Sequence, residues 1–370
     1  MKLKLKTDEF SNLLKTVLPA VSSRSTLPAL SHFLIEAKDS ILKIYATDLE
    51  IGISSSIETD VEKEGSCTTP ARNLTDMVNA LDSEKFSFKK VTDSHYEVSS
   101  DKGDTTYTIV TGEKEEFPVV PEVKGDNFIE IDAELFKDAI DKTIFSVSKD
   151  ESRYVLCGAF FEVNGDSFKM VATDGRRLSF YKDKVIKKTD EFSAIIPTKA
   201  INVIERAISS SGEDKIRISK DSGENQIYFI LGNTVIYSRM IEGDYPNYSQ
   251  VIPDNPTKEI VVDNSLLLNA TKKMLAVTTE RAIAVEYKFS NNKAVVSVNT
   301  ETGSGKSTIE VDYDGDEIDI AFNPDFMISN LKSIRGDKIK LGLTSSINPG
   351  KITSESDDEN YIGVIMPMRP

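Results

Sequence analysis

The spacing of apolar residues changes period within the first eighteen positions. Lys2-Leu3-Lys4-Leu5-Lys6 alternates like a strand, after which Phe10, Leu13, Leu14, Val17 and Leu18 fall on one helical face and predict a helix over 8–18. Strand-like runs at 33–36 and 42–46 follow, then a second helical pattern after Pro70 with Leu74, Met77, Val78 and Leu81 on one side. The stretch Phe117-Pro118-Val119-Val120-Pro121 ends this series. The same order then returns: a strand at 129–131, a helix over 133–147 burying Leu135, Phe136, Ala139, Ile140 and Ile144, strands at 160–163 and 168–172, and a helix over 199–209 after Pro197. Asp244-Tyr245-Pro246-Asn247-Tyr248 stands where Phe117-Pro118 stood. A third pass predicts helices over 265–277 and 324–334. Pro70, Pro197 and Pro324 are expected in the first turn of the second helices, where the missing N–H has no intrahelical partner to lose. Asp314-Gly315, between Ile309/Val311/Tyr313 and Ile318/Ile320/Phe322, predicts a tight hairpin.

Short motifs recur with this order. Thr47-Asp48-Leu49-Glu50, Thr173-Asp174-Gly175-Arg176 and Thr300-Glu301-Thr302-Gly303 are spaced by about 126 residues, as are Pro70-Ala71-Arg72, Pro197-Thr198-Lys199 and Asn323-Pro324-Asp325. Solenoid units are far shorter, so each repeat is expected to hold its own core. The fold class is therefore α+β, with three tandem domains at 1–122, 127–253 and 257–370, joined through polar, proline-flanked segments at 122–127 and 253–258.

Composition narrows the class further. At 39% hydrophobic and 28% charged, the chain has ordinary material for several cores. No apolar run reaches the ~18 residues of a membrane span, and the N-terminus lacks the apolar stretch of a signal peptide. Cys67 and Cys157 lie in different repeats and imply no disulfide framework, so a cytoplasmic protein is expected. A net charge of −15 disfavours nucleic acid at first sight, yet net charge does not fix its distribution. Basic residues recur on the predicted helices: Lys15, Arg24 and Arg72, then Lys137, Lys142, Lys149, Lys199 and Arg206, then Lys272, Lys273, Lys332 and Arg335. Solvated helix faces and a shared basic surface both account for them.

Motifs for catalysis or metal binding are weak. Gly303-Ser304-Gly305-Lys306-Ser307 mimics a phosphate loop, but the pattern requires glycine at Thr300 and a helix where Thr308-Ile309-Glu310-Val311 alternates like a strand. Asp312, Asp314 and Asp316 mimic a calcium loop whose glycine is misplaced and whose twelfth position is Asn323. His32 and His95 have no paired ligands nearby in sequence. The terminal Met366-Pro367-Met368-Arg369-Pro370 follows a strand-like run, and either frays or packs along an apolar groove.

Thr26-Leu27-Pro28-Ala29-Leu30, Ala46-Thr47-Asp48-Leu49-Glu50, Pro70-Ala71-Arg72, Val171-Ala172-Thr173-Asp174-Gly175-Arg176-Arg177-Leu178 and Met366-Pro367-Met368-Arg369 together resemble the bacterial replicative sliding clamp family, the beta subunit of DNA polymerase III. The resemblance runs the length of the chain. It implies three DNA clamp domains forming half of a six-domain ring, completed by a head-to-tail homodimer around double-stranded DNA. It also implies a non-enzymatic processivity factor without cofactor or metal, whose partners are the polymerase III catalytic subunit, the clamp loader and other proteins with clamp-binding motifs.

Carried over residue by residue, the resemblance implies DNA contacts at Arg24, Arg72, Arg153, Tyr154 and Lys199; for Arg72 and Lys199, simple solvation near a helix start competes. A partner-peptide pocket is implied at Leu156, Thr173, Gly175, Arg176, Arg177, Leu178, Pro246, Val251, Val364, Met366, Pro367, Met368 and Arg369. Arg176 stands where many members carry histidine, Gln250 where some carry arginine, and Pro370 where leucine is common. The dimer seam is implied at Tyr107 and Ile109 on one side and Met274 and Leu275 on the other, with core burial the competing reading for each. Two other functions remain open: an acidic peptide-binding adaptor without DNA, and a nucleotide-using enzyme built around 303–307.

Overall fold

The computed structural model describes residues 1–22, 25–123, 128–187, 191–221, 223–279, 283–356 and 360–369. Arg24 and Pro370 lie outside them. Six α-helices are present among the described residues: α1 (Thr7–Val17), α2 (Ala71–Asn79), α3 (Ala133–Thr143), α4 (Thr198–Ser211), α5 (Asn264–Met274) and α6 (Pro324–Ser333). The predicted stripes are the buried faces. Phe10, Leu13, Leu14 and Val17 of α1 are buried, as are Leu74 and Val78 of α2 and Phe136, Ala139 and Ile140 of α3. Leu135, in the first turn of α3, is half-buried, as is Ile144, where a 3-10 turn over Ile144–Ser146 replaces the last predicted turn of the helix. α1 packs on α2, and α5 on α6. Among the described residues, no helix is long and apolar enough to cross a membrane.

Of the three prolines, only Pro324 lies in a first helical turn, where Asn323 caps the N–H groups of Asp325 and Phe326. Pro70 and Pro197 instead end the strands Gly65–Pro70 and Phe192–Pro197. Both strands are sheet edges, where a residue with no N–H to donate is tolerated.

The chain divides into two compact units, Met1–Ala133 with Asn202–Met240 and Glu134–Ile201 with Ile241–Pro370. In the first, a five-stranded sheet has the order Asp60–Lys63, Lys2–Lys6, Lys85–Thr92, His95–Ser100, Thr106–Val110. Its eight-stranded sheet runs Ile129–Asp132, Lys215–Asp221, Gln226–Leu231, Thr234–Arg239, Ile51–Glu58, Ile41–Thr47, His32–Lys38, Gly65–Pro70. The second unit has an eight-stranded sheet in the order Phe192–Pro197, Gly158–Asn164, Ser167–Thr173, Arg177–Lys184, Tyr361–Ile365, Gly350–Ser354, Lys338–Leu343, Lys258–Asp263. Its four-stranded sheet is Gly303–Glu310, Lys293–Thr300, Val285–Ser290, Ile318–Phe322.

Each eight-stranded sheet is two repeats joined at a seam. Ile51–Glu58 of repeat one pairs antiparallel with Thr234–Arg239, the last strand of repeat two, with Ile53 opposite Ile236. Arg177–Lys184 of repeat two pairs in the same way with Tyr361–Ile365, the last strand of repeat three, with Leu178 opposite Val364. Repeat two is thus shared between the units because each of its sheets is continuous with a neighbour's.

The predicted hairpin at Asp314-Gly315 is not formed. Gly303–Glu310 pairs with Lys293–Thr300 and Ile318–Phe322 with Val285–Ser290, so the two flanking strands are opposite edges of one sheet. The intervening chain crosses between them with Val311 and Tyr313 buried, Asp312 bridged to Val261, and the Tyr313 hydroxyl donating to Asp316 O. Gly303–Ser307 lies inside a strand, where no helix N-terminus is available to cradle phosphate. No group of His, Cys, Asp and Glu among the described residues could hold a metal ion.

Candidate peptide pocket, helix cations and open strand edges

The candidate pocket begins at a turn whose residues bind their own backbone. Thr173 Oγ1 donates to Arg177 O at 2.6 Å and accepts from Gly175 N–H at 3.1 Å, while Asp174 Oδ1 accepts from the N–H groups of Arg176 and Arg177. The turn needs a left-handed residue, and Gly175 supplies φ 83°. Asp174 Oδ2 takes Arg177 Nε at 3.0 Å, which holds the guanidinium 4.4 Å from the Phe326 ring centroid and 5.5 Å from that of Phe145. Arg177 is thereby fixed beneath the turn, leaving Gly175 and Arg176 exposed.

Beside the turn, Leu178 and Val364 face each other across the seam and form a buried cluster with Val171. Phe160, Phe180 and Ile362 lie on that face, opposite to the one Phe161, Phe168 and Tyr181 bury, since successive strand residues alternate sides. The segment after repeat two covers part of it: Tyr245 stacks on Phe160 at 5.1 Å, and Tyr248 leans on Phe160 and Phe180. Pro246, Val251 and Met366 remain exposed around this apolar floor, and Leu156 is buried.

The C-terminal tail is held in place. Met366 N–H donates to Arg176 O and Met368 N–H to Ala321 O, both at 2.8 Å. The second contact has counterparts in the earlier repeats, Thr68 with Gly112 and Ile195 with Ile241. Pro367 and Met368 are half-buried, and Arg369 is exposed. Of the thirteen residues named from the sequence, Leu178 and Val364 belong to the buried cluster, and Leu156 lies at the end of the 3-10 helix Glu151–Leu156, where its carbonyl accepts from Ser148 N–H.

The cations differ in availability. Arg72 and Lys199 are each the second residue of a helix and are exposed; partial desolvation lowers the Lys199 ammonium below its ordinary value. Arg153 lies in the same 3-10 helix as Tyr154 and pairs with Asp150 at 3.5 Å; the Tyr154 hydroxyl donates to Glu242 O. Lys142 leaves the predicted basic face. It pairs with Asp138 at 2.8 Å and lies over the Tyr181 ring, and Arg335 binds the other oxygen of Asp138 at 2.9 Å.

Two strands of the seam type are paired on one side only among the described residues, each leaving a sheet edge open. Thr106–Val110 is the last strand of repeat one, corresponding to Thr234–Arg239 and Tyr361–Ile365, and it ends the five-stranded sheet. Gly303–Glu310 follows the third Thr motif, corresponding to Ile51–Glu58 and Arg177–Lys184, and it ends the four-stranded sheet. Ile109 and Met274 are buried in their own repeats, whereas Leu275 and Val110 are exposed and Tyr107 is half-buried.

Three signatures of the DNA polymerase III beta subunit match the chain: its N-terminal domain over residues 1–121, its central domain over 130–247 and its C-terminal domain over 249–369. The chain belongs to the beta sliding clamp family. The beta sliding clamp of Chlamydia muridarum is 32% identical over 381 residues, covering 100% of this chain and 99% of the relative. That of Synechococcus elongatus is 30% identical over 357 residues, 94% of each. Among solved structures, the DNA polymerase sliding clamp of Bacillus subtilis matches with a TM-score of 0.94 at 27% identity, covering 100% of this chain and 99% of that one. The DNA polymerase III subunit beta of Pseudomonas aeruginosa matches with a TM-score of 0.94 at 25% identity over the whole of both chains.

The family pattern did not supply the aromatic floor of this clamp. Phe160, Phe180, Tyr245 and Tyr248 are missing from the sequence-derived set, although Phe160-Phe161 and Phe180-Tyr181 carry a signal for them. Adjacent aromatics on a strand must serve opposite faces, so the outer face needs an apolar cover or a ligand.

Proposed function

We infer that the chain is a DNA sliding clamp, a non-catalytic ring of two copies in the cytoplasm that encircles duplex DNA and holds the replicative polymerase to its template. Its clamp domains are 1–122, 127–253 and 257–370. The observation that carries the ring is the order of the seams. Repeat one is joined to the last strand of repeat two, and repeat two to the last strand of repeat three. The next step would join Gly303–Glu310 to the last strand of a further repeat, and Thr106–Val110 of a second copy is the open strand of that type. Such a contact is heterologous and yields a closed ring only when its rotation closes; two copies are the number the family resemblance supports. Tyr107 and Leu275 would lie at the seam surface, with Ile109 and Met274 supporting it from the cores.

Arg24, Arg72, Arg153, Tyr154 and Lys199 are the proposed DNA contacts. Exposed cations such as Arg72 and Lys199, which can meet phosphate without reading bases, suit a sliding tether. The thirteen pocket residues, together with the aromatic floor, would take short peptides from the polymerase, the clamp loader and other partners by a few apolar anchors in the manner of interface hot spots. Native mass spectrometry tests the assembly: a species of twice the chain's 41.0 kDa is expected, and a monomer at micromolar concentration would overturn the ring.

A further inference from the structure

The junction of repeats one and two has the frame of the peptide pocket with different contents. Thr47 Oγ1 donates to Ile51 O, Asp48 Oδ1 accepts from the N–H groups of Glu50 and Ile51, and Arg239 N–H reaches Glu50 O at 2.8 Å, as Met366 reaches Arg176. The outer sheet face is where the two junctions diverge. Between repeats two and three, Tyr245 and Tyr248 occupy it. Between repeats one and two, the segment 114–123 stands over the face and leaves a cavity of about 680 Å³, a size typical of ligand sites. Leu34, Tyr45 and Val235 form its floor, and Phe117, Pro118 and Val120 its wall.

Charge distinguishes it further. Lys43 and Lys169 hold corresponding places, as do Glu36 and Glu162. Lys169 is neutralised by Glu162 at 2.7 Å. Glu36 is instead engaged by Lys114, and the Lys43 ammonium lies 4.8 Å from the Tyr45 ring centroid with no carboxylate in ion-pairing distance among the described residues. A single unneutralised cation beside an apolar floor calls for one carboxylate. Glu115 and Glu122, which also line the cavity, disfavour a polyanion such as a nucleic-acid strand. The wall contributes extended main chain: among the described residues the N–H groups of Val119 and Val120 bond to no protein group, and Val119 is 95% exposed at the edge. Extended backbone with open donors suits another extended backbone.

We propose that this cavity is a second peptide site, which takes a short extended segment bearing bulky apolar side chains over Leu34 and Val235 and one carboxylate on Lys43. The site lies within one unit of the chain and does not require the ring to form. Photoreactive hexapeptides of leucine and phenylalanine with one aspartate, and a matched set with lysine in its place, would be crosslinked to the full-length chain and the adducts mapped by mass spectrometry. Adducts are expected at 117–120 and at Tyr45 or Val235, with about fivefold higher yield for the aspartate set, the worth of one partly exposed ion pair. Lys43→Arg should keep that preference and Lys43→Glu reverse it, while adducts at 171–178 remain and report an intact fold. Adducts confined to 171–178 and 245–252, or a preference unmoved by Lys43→Glu, would overturn the proposal.

Discussion

At the scale of single residues, the turn beside the proposed peptide pocket depends on one carboxylate. Asp174 satisfies two backbone N–H groups and anchors Arg177, whose side chain is only 12% exposed. Asp174→Ala would leave those donors and a largely buried guanidinium without their acceptor, so a loss of roughly 2 kcal/mol is expected in urea unfolding. The corresponding turn in repeat one places Leu49 at φ 78°, where Gly175 stands in repeat two. A bulky residue costs about 1–2 kcal/mol in the left-handed region, and glycine's added chain entropy costs roughly 0.5–1 kcal/mol. Leu49→Gly should therefore leave stability unchanged or raise it by up to about 1.5 kcal/mol, read as an unchanged or higher Tm. Cys67 is buried and its thiol is pushed up to about 12, so it should resist iodoacetamide at pH 8 in the native protein and react once urea unfolds it.

At the scale of elements, the open strand edge makes its own prediction. Ser100 N–H donates to Thr105 O and Thr111 N–H to Ser94 O, so by the alternation of an antiparallel ladder Thr108 turns its N–H away from the sheet. Thr108→Pro removes that outward donor without breaking the inner ladder. It should shift the native mass toward the monomer while leaving the far-ultraviolet circular dichroism unchanged; a dimer of wild-type stability would place the seam elsewhere. The helices were legible in the sequence because a stripe such as Phe10, Leu13, Leu14 and Val17 depends only on local period. Strand pairing was not: Ile309–Tyr313 and Ile318–Phe322 have the alternation and turn residues of a hairpin, yet each finds a better partner in the chain from 285 to 300. The candidate site shows the same limit. The turn residues Thr173, Asp174 and Gly175 were legible as a motif, and the i,i+4 spacing of Asp138 and Lys142 allows their ion pair, whereas the Tyr181 ring under Lys142 and Arg335 on the same carboxylate come from strands and turns that local spacing does not encode.

At the scale of the whole molecule, a chain with net charge −15 holds DNA poorly by charge alone, so its grip should be topological. Direct phosphate contacts weaken steeply with salt, by about 10³–10⁵ between 50 and 200 mM for six to ten of them. A loaded ring on closed circular DNA should lose far less over that range, as filter retention would show. Encirclement itself is tested most directly by cutting the circle. The protein is loaded onto nicked circular DNA with its clamp loader and isolated by gel filtration, and the DNA is then linearised with a restriction enzyme. Protein that stays with the circle and leaves the linear form is the predicted result; equal retention on both would contradict the ring.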